Sequence, residues 1–473
     1  MMDIQSGKQQ YGGKMDRHTL KTEKATFTEK LGYGIAALGD AISYGFVGTF
    51  FLFFLTTVAD ISPAISGGIV AIGSVWNALF NPLIGFWADK VNTRFGRRRP
   101  LILFFSVFLA ISLFLMFTDI DIPLSAKPIY YGFMMIIFWS SFTGFFVPYC
   151  ALGVDYASDY DERTSIRSFA SFFNMVGNLF CMVMPTLIVD FLESKGLSTS
   201  GAWSATGGLL SIITFITIAV TVAVSKKRDM PMEIKEKPPR QKHIILSIFK
   251  EYISIAKLKP VKYLVAASLF SLITYTMIMS DLIYYLTYNK ELSAVGISLC
   301  LFTRSALGIL SIPIVGSVSK KTDKRIALIG CYIFGTAGMV MVRLTDIPGL
   351  SGILIYMFFV TVCTAIYWQI MPSIFYDICE YDEKTTGKKR EATILSFQGL
   401  VEAVAVGIGG QILGAILQIA GFDGDSSVQT STAMVWIENS TTVIPAVFIL
   451  AAVWALYKYP LRRESNSNIN QHH

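Results

Sequence analysis

Four ionisable side chains sit inside long apolar runs of this sequence: Asp40, Asp281, Arg304 and Glu402. A charge in mid-membrane costs ~2.5–3.5 kcal/mol even on insertion scales, so such groups are kept for pairing, for a proton or for a ligand. Beside them amides recur at one-turn spacing, as Asn77/Asn81, Asn174/Asn178 and Gln398/Glu402, which puts each pair on one helix face. Aromatic residues share these runs, among them Tyr44, Trp76, Trp139, Tyr275, Tyr284 and Trp368. Flat rings together with amides and carboxylates are the chemistry of a site for a polyhydroxylated ligand. The same residues can also tie helices together or sit at a membrane interface. Trp139 and Trp368 fall mid-run and are the stronger ligand candidates. For Arg304 and Glu402, a charge pair or helix tie is an equally open reading, and Asp40 is expected to serve a substrate or a proton.

The elements that position these groups follow from composition. The chain has 473 residues, of which 53% are hydrophobic and only 15% charged. A soluble chain carries about a quarter charged residues, so the surface here is expected to face lipid. A crossing helix needs ~20 apolar residues. Such runs occur at 31–58, 64–89, 100–118, 128–150, 166–190 and 202–224, then at 262–287, 293–318, 325–343, 350–375, 392–420 and 438–458. Residues 1–30 are polar and of mixed charge, unlike a cleaved leader, so the first run is expected to remain as a span.

Lysine and arginine concentrate in alternate loops: at Lys90 to Arg99, at Arg163 and Arg167, at Lys320 to Arg325, and at Lys384 to Arg390. The opposite loops hold only Lys127, Lys195, Lys290 and Arg343. The positive-inside rule then predicts twelve spans with both termini cytoplasmic. The basic residues anchor loops and give no reason to expect nucleic acid. The break at 225–261, with Pro238 and Pro239, divides the chain into a tail (1–30), a six-helix half (31–224), a linker (225–261), a second half (262–458) and a final tail (459–473). Within the linker Ile245, Ile248, Phe249, Tyr252 and Ile255 recur at helical spacing, predicting an amphipathic helix on the inner leaflet.

The halves echo each other. Gly85 to Pro100 and Gly316 to Arg325 are basic loops at corresponding places. Pro148 is followed by Asp155, Asp161, Glu162 and Arg163, as Pro372 is by Asp377, Asp382, Glu383 and Arg390. Parallel repeats of six spans are a transporter architecture. The cysteines show no metal or redox spacing, and His18, His243, His472 and His473 lie in polar segments with no nucleophile–base set around them. No phosphate-cradling GxxxxGK[ST] loop occurs, so neither catalysis nor ATP-driven transport is expected.

Several segments carry a resemblance: Leu31 to Asp40, Trp76 to Gly85, Arg94 to Pro100, Pro148-Tyr149, Asp161 to Thr164, and Asp377 through Tyr381 to Arg390-Glu391-Ala392. Through them the chain resembles the glycoside–pentoside–hexuronide cation symporters, the melibiose-permease-like branch of the major facilitator superfamily. The resemblance implies an all-α fold of two six-helix bundles, with early spans of both halves lining a central cavity. It implies a plasma-membrane symporter of sugars or glycosides, monomeric in the lipid bilayer, without cofactor or nucleic-acid partner. In that cavity the expected substrate residues are Asp40, Tyr44, Trp139, Thr143, Asn174, Asn178, Tyr275, Asp281 and Trp368. The expected coupling set is Asn77, Asn81, Thr143 and Glu402.

Where the family has a carboxylate pair on span two, this chain has Asn77 and Asn81; Thr143 matches the family's threonine, and the lysine position falls near Ala403. Phe146, Cys150 and Ser171 replace the family's sugar-binding acid, tryptophan and arginine. Hard cations prefer charged oxygen ligands, so H+ is the preferred coupling ion over Na+, with Asp40 or Glu402 as carrier. Asp89, Arg97, Arg98, Asp155, Glu162 and Arg163 are expected to form a gating latch of ion pairs at helix ends, beside plain positive-inside anchoring. A uniporter or exporter of an amphipathic, drug-like or lipid-like solute, and a non-transporting membrane sensor, are the alternatives.

Overall fold

The computed structural model describes residues 25–461 apart from 92, 94, 157–159, 230–243, 346, 348, 388, 389 and 427. Among the described residues, twelve helices are long and apolar enough to cross a membrane. Spans one to six are Phe27–Thr57, Pro63–Gly85, Arg99–Met116, Lys127–Gly153, Ser165–Ser194 and Thr199–Lys227. Spans seven to twelve are Lys259–Asn289, Ala294–Val315, Lys324–Thr345, Gly349–Thr386, Thr393–Ile419 and Ser431–Lys458. The expected boundaries differ mainly in spans ten and twelve. Span ten runs on to Thr386 because its polar extension is tied down, Asp377 to Lys324 at 2.9 Å and Asp382 to Arg390 at 2.6 Å. Span twelve begins with a polar piece, Ser431–Thr441, and resumes at Val443; Ser440 and Thr441 are buried, which hides it from a hydropathy reading.

Local chemistry sets the helix starts. Thr26 accepts from the Glu29 backbone N–H while Glu29 reaches back to Thr26, a reciprocal cap. Thr430 and Ser198 cap spans twelve and six, and Pro63, Pro100 and Pro260 stand in first turns, where a missing N–H costs nothing. With no water in the hydrocarbon to satisfy them, buried hydroxyls bond back to carbonyls one turn earlier, as Thr206 does to Ala202 and Ser211 to Gly207. Phe104, Phe108, Ile111, Ile212 and Ile216 remain exposed on the outside of the bundle, as lipid-facing side chains should.

Within the first half span one packs on spans five and six, and span four on two and three; in the second half span seven packs on eleven and twelve, and span ten on eight and nine. The halves meet through spans two and eleven, five and eight, and one and seven. These joints lie toward the face opposite the chain ends, here called the distal face. A Cβ on Gly67 would come within 2.8 Å of the Gly410 carbonyl oxygen, and one on Gly414 would strike the Pro63 carbonyl. Only glycine permits this backbone-to-backbone approach. Thr56 and Tyr284 hydroxyls meet at 2.6 Å, Ser298 donates to the Val183 carbonyl at 3.0 Å, and Ser280 donates to the Gly48 carbonyl at 3.4 Å. Beyond Ser74 and Gly407 spans two and eleven part toward the terminal face, leaving a cavity between the halves.

The linker contains the expected helix, Ile244–Ala256. It packs on spans seven and eleven, with Tyr252 and Ile255 buried, the former against Phe397 at 5.5 Å between ring centroids. Its apolar stripe is thus at least partly directed to protein, where the sequence suggested the inner leaflet; the side chains of Ile245, Ile248 and Phe249 lie outside the described residues.

Candidate central binding cavity

The cavity between the halves holds about 610 Å³. Span one contributes Asp40 and Tyr44, one turn apart. Asp40 is buried; its Oδ2 accepts from Asn174 Nδ2 at 3.3 Å, and its Oδ1 has no hydrogen-bond partner. Asn178, also in the wall, donates to Asn174 Oδ1 at 3.0 Å, so the two amides of span five are locked in series behind the acid. Span two contributes Asn77 and Asn81, and Thr143 of span four donates to Asn77 Oδ1 at 2.6 Å. With that oxygen engaged, Asn77 has its NH₂ group left to offer.

The second half supplies Tyr275, Trp368 and Glu402. Gln398 donates to Glu402 Oε1 at 2.8 Å and the Tyr367 hydroxyl approaches the same oxygen at 3.4 Å. The open tie expected for Glu402 is therefore made with neutral groups. Aromatic pairs repeat across the halves. Tyr44 meets Trp139 edge to face at 5.7 Å, and Tyr275 meets Trp368 edge to face at 5.8 Å. The partners stand on spans one and four, and on spans seven and ten, so the repeat seen in the loops recurs at the wall. Edge-to-face contact fixes ring planes, and Trp139 Nε1 is buried without a partner.

Of the residues expected at the site, Asp281 is the exception in position. It is fully buried within the second half and is not part of this wall. Arg304 also lies outside the wall, half-buried within electrostatic reach of Cys181 on span five. Phe146 lines the cavity as an apolar surface, as do Phe142, Ala403 and Val406. Sequence reasoning passed over Arg167, which it counted only as a loop charge. It lies within electrostatic reach of Asp40, Tyr33 and Cys150, two turns before Asn174 and three before Asn178 on span five. Gly399 and Ser74, also missed, mark where spans eleven and two approach the cavity.

At the terminal face Glu162 accepts from Ala25 N at 2.7 Å and pairs with Lys30 at 3.1 Å. The backbone N–H groups of Arg97, Arg98 and Arg99 all donate to the Asp229 carboxylate, at 3.0, 3.0 and 2.8 Å. Gly96 has φ 118° and a Cβ there would strike Asp229, so the turn requires glycine. Asp229 was not foreseen as the partner of this loop. The side chains of Asp89, Asp155 and Arg163 lie outside the described residues.

Two six-helix halves joined around a central cavity that carries two acids and four amides define a secondary transporter of the major facilitator class. The family model for MFS/sugar transport proteins matches residues 32–463, and the chain belongs to that family. It is 26% identical to an uncharacterized symporter, YjmB, of Bacillus subtilis, with 96% of each chain covered. It is 20% identical to an isoprimeverose transporter of Lactiplantibacillus pentosus, covering 91% of this chain and 88% of that one. Among solved structures, a bacterial homologue of the human lysosomal transporter Spinster superposes with a TM-score of 0.66 at 13% identity, covering 90% of this chain and 95% of the other. The protein is accordingly a multi-pass membrane transporter of this family, and not an enzyme.

Proposed function

We propose that the protein carries a sugar or glycoside across the plasma membrane by alternating access, coupled to a cation. The observation that supports this most directly is the composition of the single cavity wall: Asp40 and Glu402 on opposite halves, four amides, and a Tyr–Trp pair on each side. Paired aromatic faces can hold the apolar faces of pyranose rings, while the amides and acids take their hydroxyls. The isoprimeverose transporter among its relatives is consistent with such a substrate. The basic loops put the terminal face in the cytoplasm; the distal seal then makes this an inward-facing state. Lipid and the substrate suffice as partners, with one chain as the working unit.

The coupling ion is a proton in this reading. Asn77 and Asn81 carry no charge, and Asn77 Oδ1 already accepts from Thr143, which leaves a sodium ion poorly provided. Asp40, with one oxygen unpartnered inside the wall, and Glu402 are the carriers. Arg97, Arg98 and Glu162, with Asp89, Asp155 and Arg163, would hold the terminal face during the rocking of the halves. Two acids and four amides set in an otherwise largely apolar wall suit a ligand with both hydroxyls and apolar ring faces better than an amphipathic solute, and the space within the wall argues against a plugged sensor. Purified protein in liposomes should accumulate a labelled disaccharide or aryl glycoside under an inward pH gradient. Accumulation under a sodium gradient alone would overturn the ion assignment, and uptake indifferent to both gradients would overturn symport.

A further inference from the structure

A second carboxyl group stands apart from the cavity. Asp281 on span seven has no exposed surface, and neither of its carboxylate oxygens has a hydrogen-bond partner. An ionised carboxylate removed from water without donors or a cation is among the most costly groups to bury, and it is accommodated by neutralisation. The groups facing it from neighbouring elements offer no compensation. Tyr284 of its own span and Tyr356 of span ten are within electrostatic reach. Both hydroxyls are engaged elsewhere, that of Tyr284 with Thr56 at 2.6 Å and that of Tyr356 with the Thr441 carbonyl at 2.9 Å. Arg343 of span nine and Glu438 of span twelve pair with each other at 3.7 Å, and Arg343 donates to Thr442 at 2.8 Å. They share a small recess with Lys290, whose ammonium lies 5.4 Å from the Tyr285 ring. Span one beyond Tyr44 and span eleven beyond Glu402 contain no titratable residue.

The turn that holds Asp281 is also part of the distal seal. Ser280 donates to Gly48 of span one, and Tyr284 meets Thr56 of the same span, both across the two halves. Immediately beyond, the helix widens into a π-helical segment, Tyr285–Asn289. Such segments interrupt the regular ladder and recur at functional sites. When the halves part at this face, the Asp281 turn is therefore one that must leave span one, and water gains access to its flank.

We propose that Asp281 is a proton-binding site, filled from the outer solution while the outer face is open, and that this face closes only with the proton in place. The proton passes from hydronium in the opened outer vestibule to a carboxylate oxygen, and returns to the same solution when the face reopens. It is a gating proton, separate from the one carried with substrate through Asp40 or Glu402. The proposal rests on the terminal face being cytoplasmic, but not on the identity of the substrate.

Ser298 is buried in the seal against Thr186, so a Ser298→Cys variant in liposomes reports closure through its rate of labelling by an impermeant maleimide. The parent protein supplies the background of the native thiols. High salt screens the exposed acids Asp60, Asp423 and Asp425 of the outer loops. Divided at each pH by the labelling of a free exposed thiol, which removes the thiolate's own titration, labelling should then rise with outside pH by about tenfold per unit once Asp281 titrates. Asp281→Asn, permanently neutral, should label slowly at every pH, and Asp281→Glu should keep the pH dependence. Unchanged pH dependence in Asp281→Asn, or labelling indifferent to pH in the parent variant, would overturn the proposal. If Asp281→Asn fails to fold, infrared difference spectra decide. The closed protein should show a protonated-acid carbonyl band that moves in Asp281→Glu, and identical bands in both proteins would refute the assignment.

Discussion

Asp40 and Glu402 occupy opposite walls of one cavity yet are held differently. Asp40 has one oxygen tied by Asn174 and one without a partner, whereas Glu402 takes two donors on one oxygen. If Asp40 carries the proton, Asp40→Asn should abolish accumulation under a pH gradient while retaining substrate exchange. Glu402→Gln should then affect mainly affinity. Counterflow and gradient-driven uptake measured side by side separate the two roles, and the reverse pattern would reassign the carrier to Glu402. Removing one aromatic platform by Trp368→Ala should raise KM by about tenfold, roughly 1.4 kcal/mol, with little change in the maximal rate. Most of this wall was legible because charges and amides are rare in apolar runs and so announce themselves. Arg167 was not, because a basic residue at a helix end already has an explanation as an anchor. Asp281 was noticed for the same reason as Asp40 but faces away from the cavity; position along a helix does not by itself reveal direction.

At the scale of the elements, spans two and eleven close the distal face by backbone contact at Gly67, Gly410 and Gly414. Gly414→Val should therefore hold the halves apart there. Labelling of an outer-face cysteine should rise and uptake should fall at least tenfold, on the order of the 1–3 kcal/mol of a small overpacking. A second control acts in the loops. Closure brings Asp60 of the first half, at φ 56°, beside Asp423, with which it shares a recess of about 590 Å³. Partial burial, then the nearby Asp425 and Asp423 carboxylates, push Asp60 above its ordinary value, against the pull of Lys127. The closed state thus binds this proton more tightly than a state with Asp60 in open water. Its contribution is full below the ordinary carboxylate range and is lost as pH rises through the raised value. Asp60→Asn, which tolerates the left-handed backbone and stands in for the protonated acid, should hold closure at its low-pH level at every pH, a difference seen only at low salt. Span eleven is rich in glycine, but the partner those glycines approach cannot be read from one helix alone. Hydropathy likewise counted the spans while misplacing the polar start of span twelve, since it records composition and not burial.

For the whole molecule, the repeat was legible in the loops, and its recurrence in the Tyr–Trp pairs came only with the structure. Its two halves must separate and rejoin at the distal face as units. Thr186 and Ser298 hydroxyls lie 2.7 Å apart across that joint, so cysteines at both positions should crosslink on mild oxidation. Transport should stop, and return on reduction; activity that survives complete crosslinking would contradict alternating access at this joint. The terminal face behaves otherwise. The described ion pairs there, Lys30–Glu162, Arg228–Glu29, Lys324–Asp377 and Arg390–Asp382, each stay inside one half. The Asp229 carboxylate likewise binds its loop to its own half. A polypeptide organised in this way has no need of covalent continuity between its parts. Two separately translated fragments, divided in the linker, should find each other in the bilayer and reconstitute uptake, because the recognition surfaces are the helix joints and the fastenings of each fragment are its own.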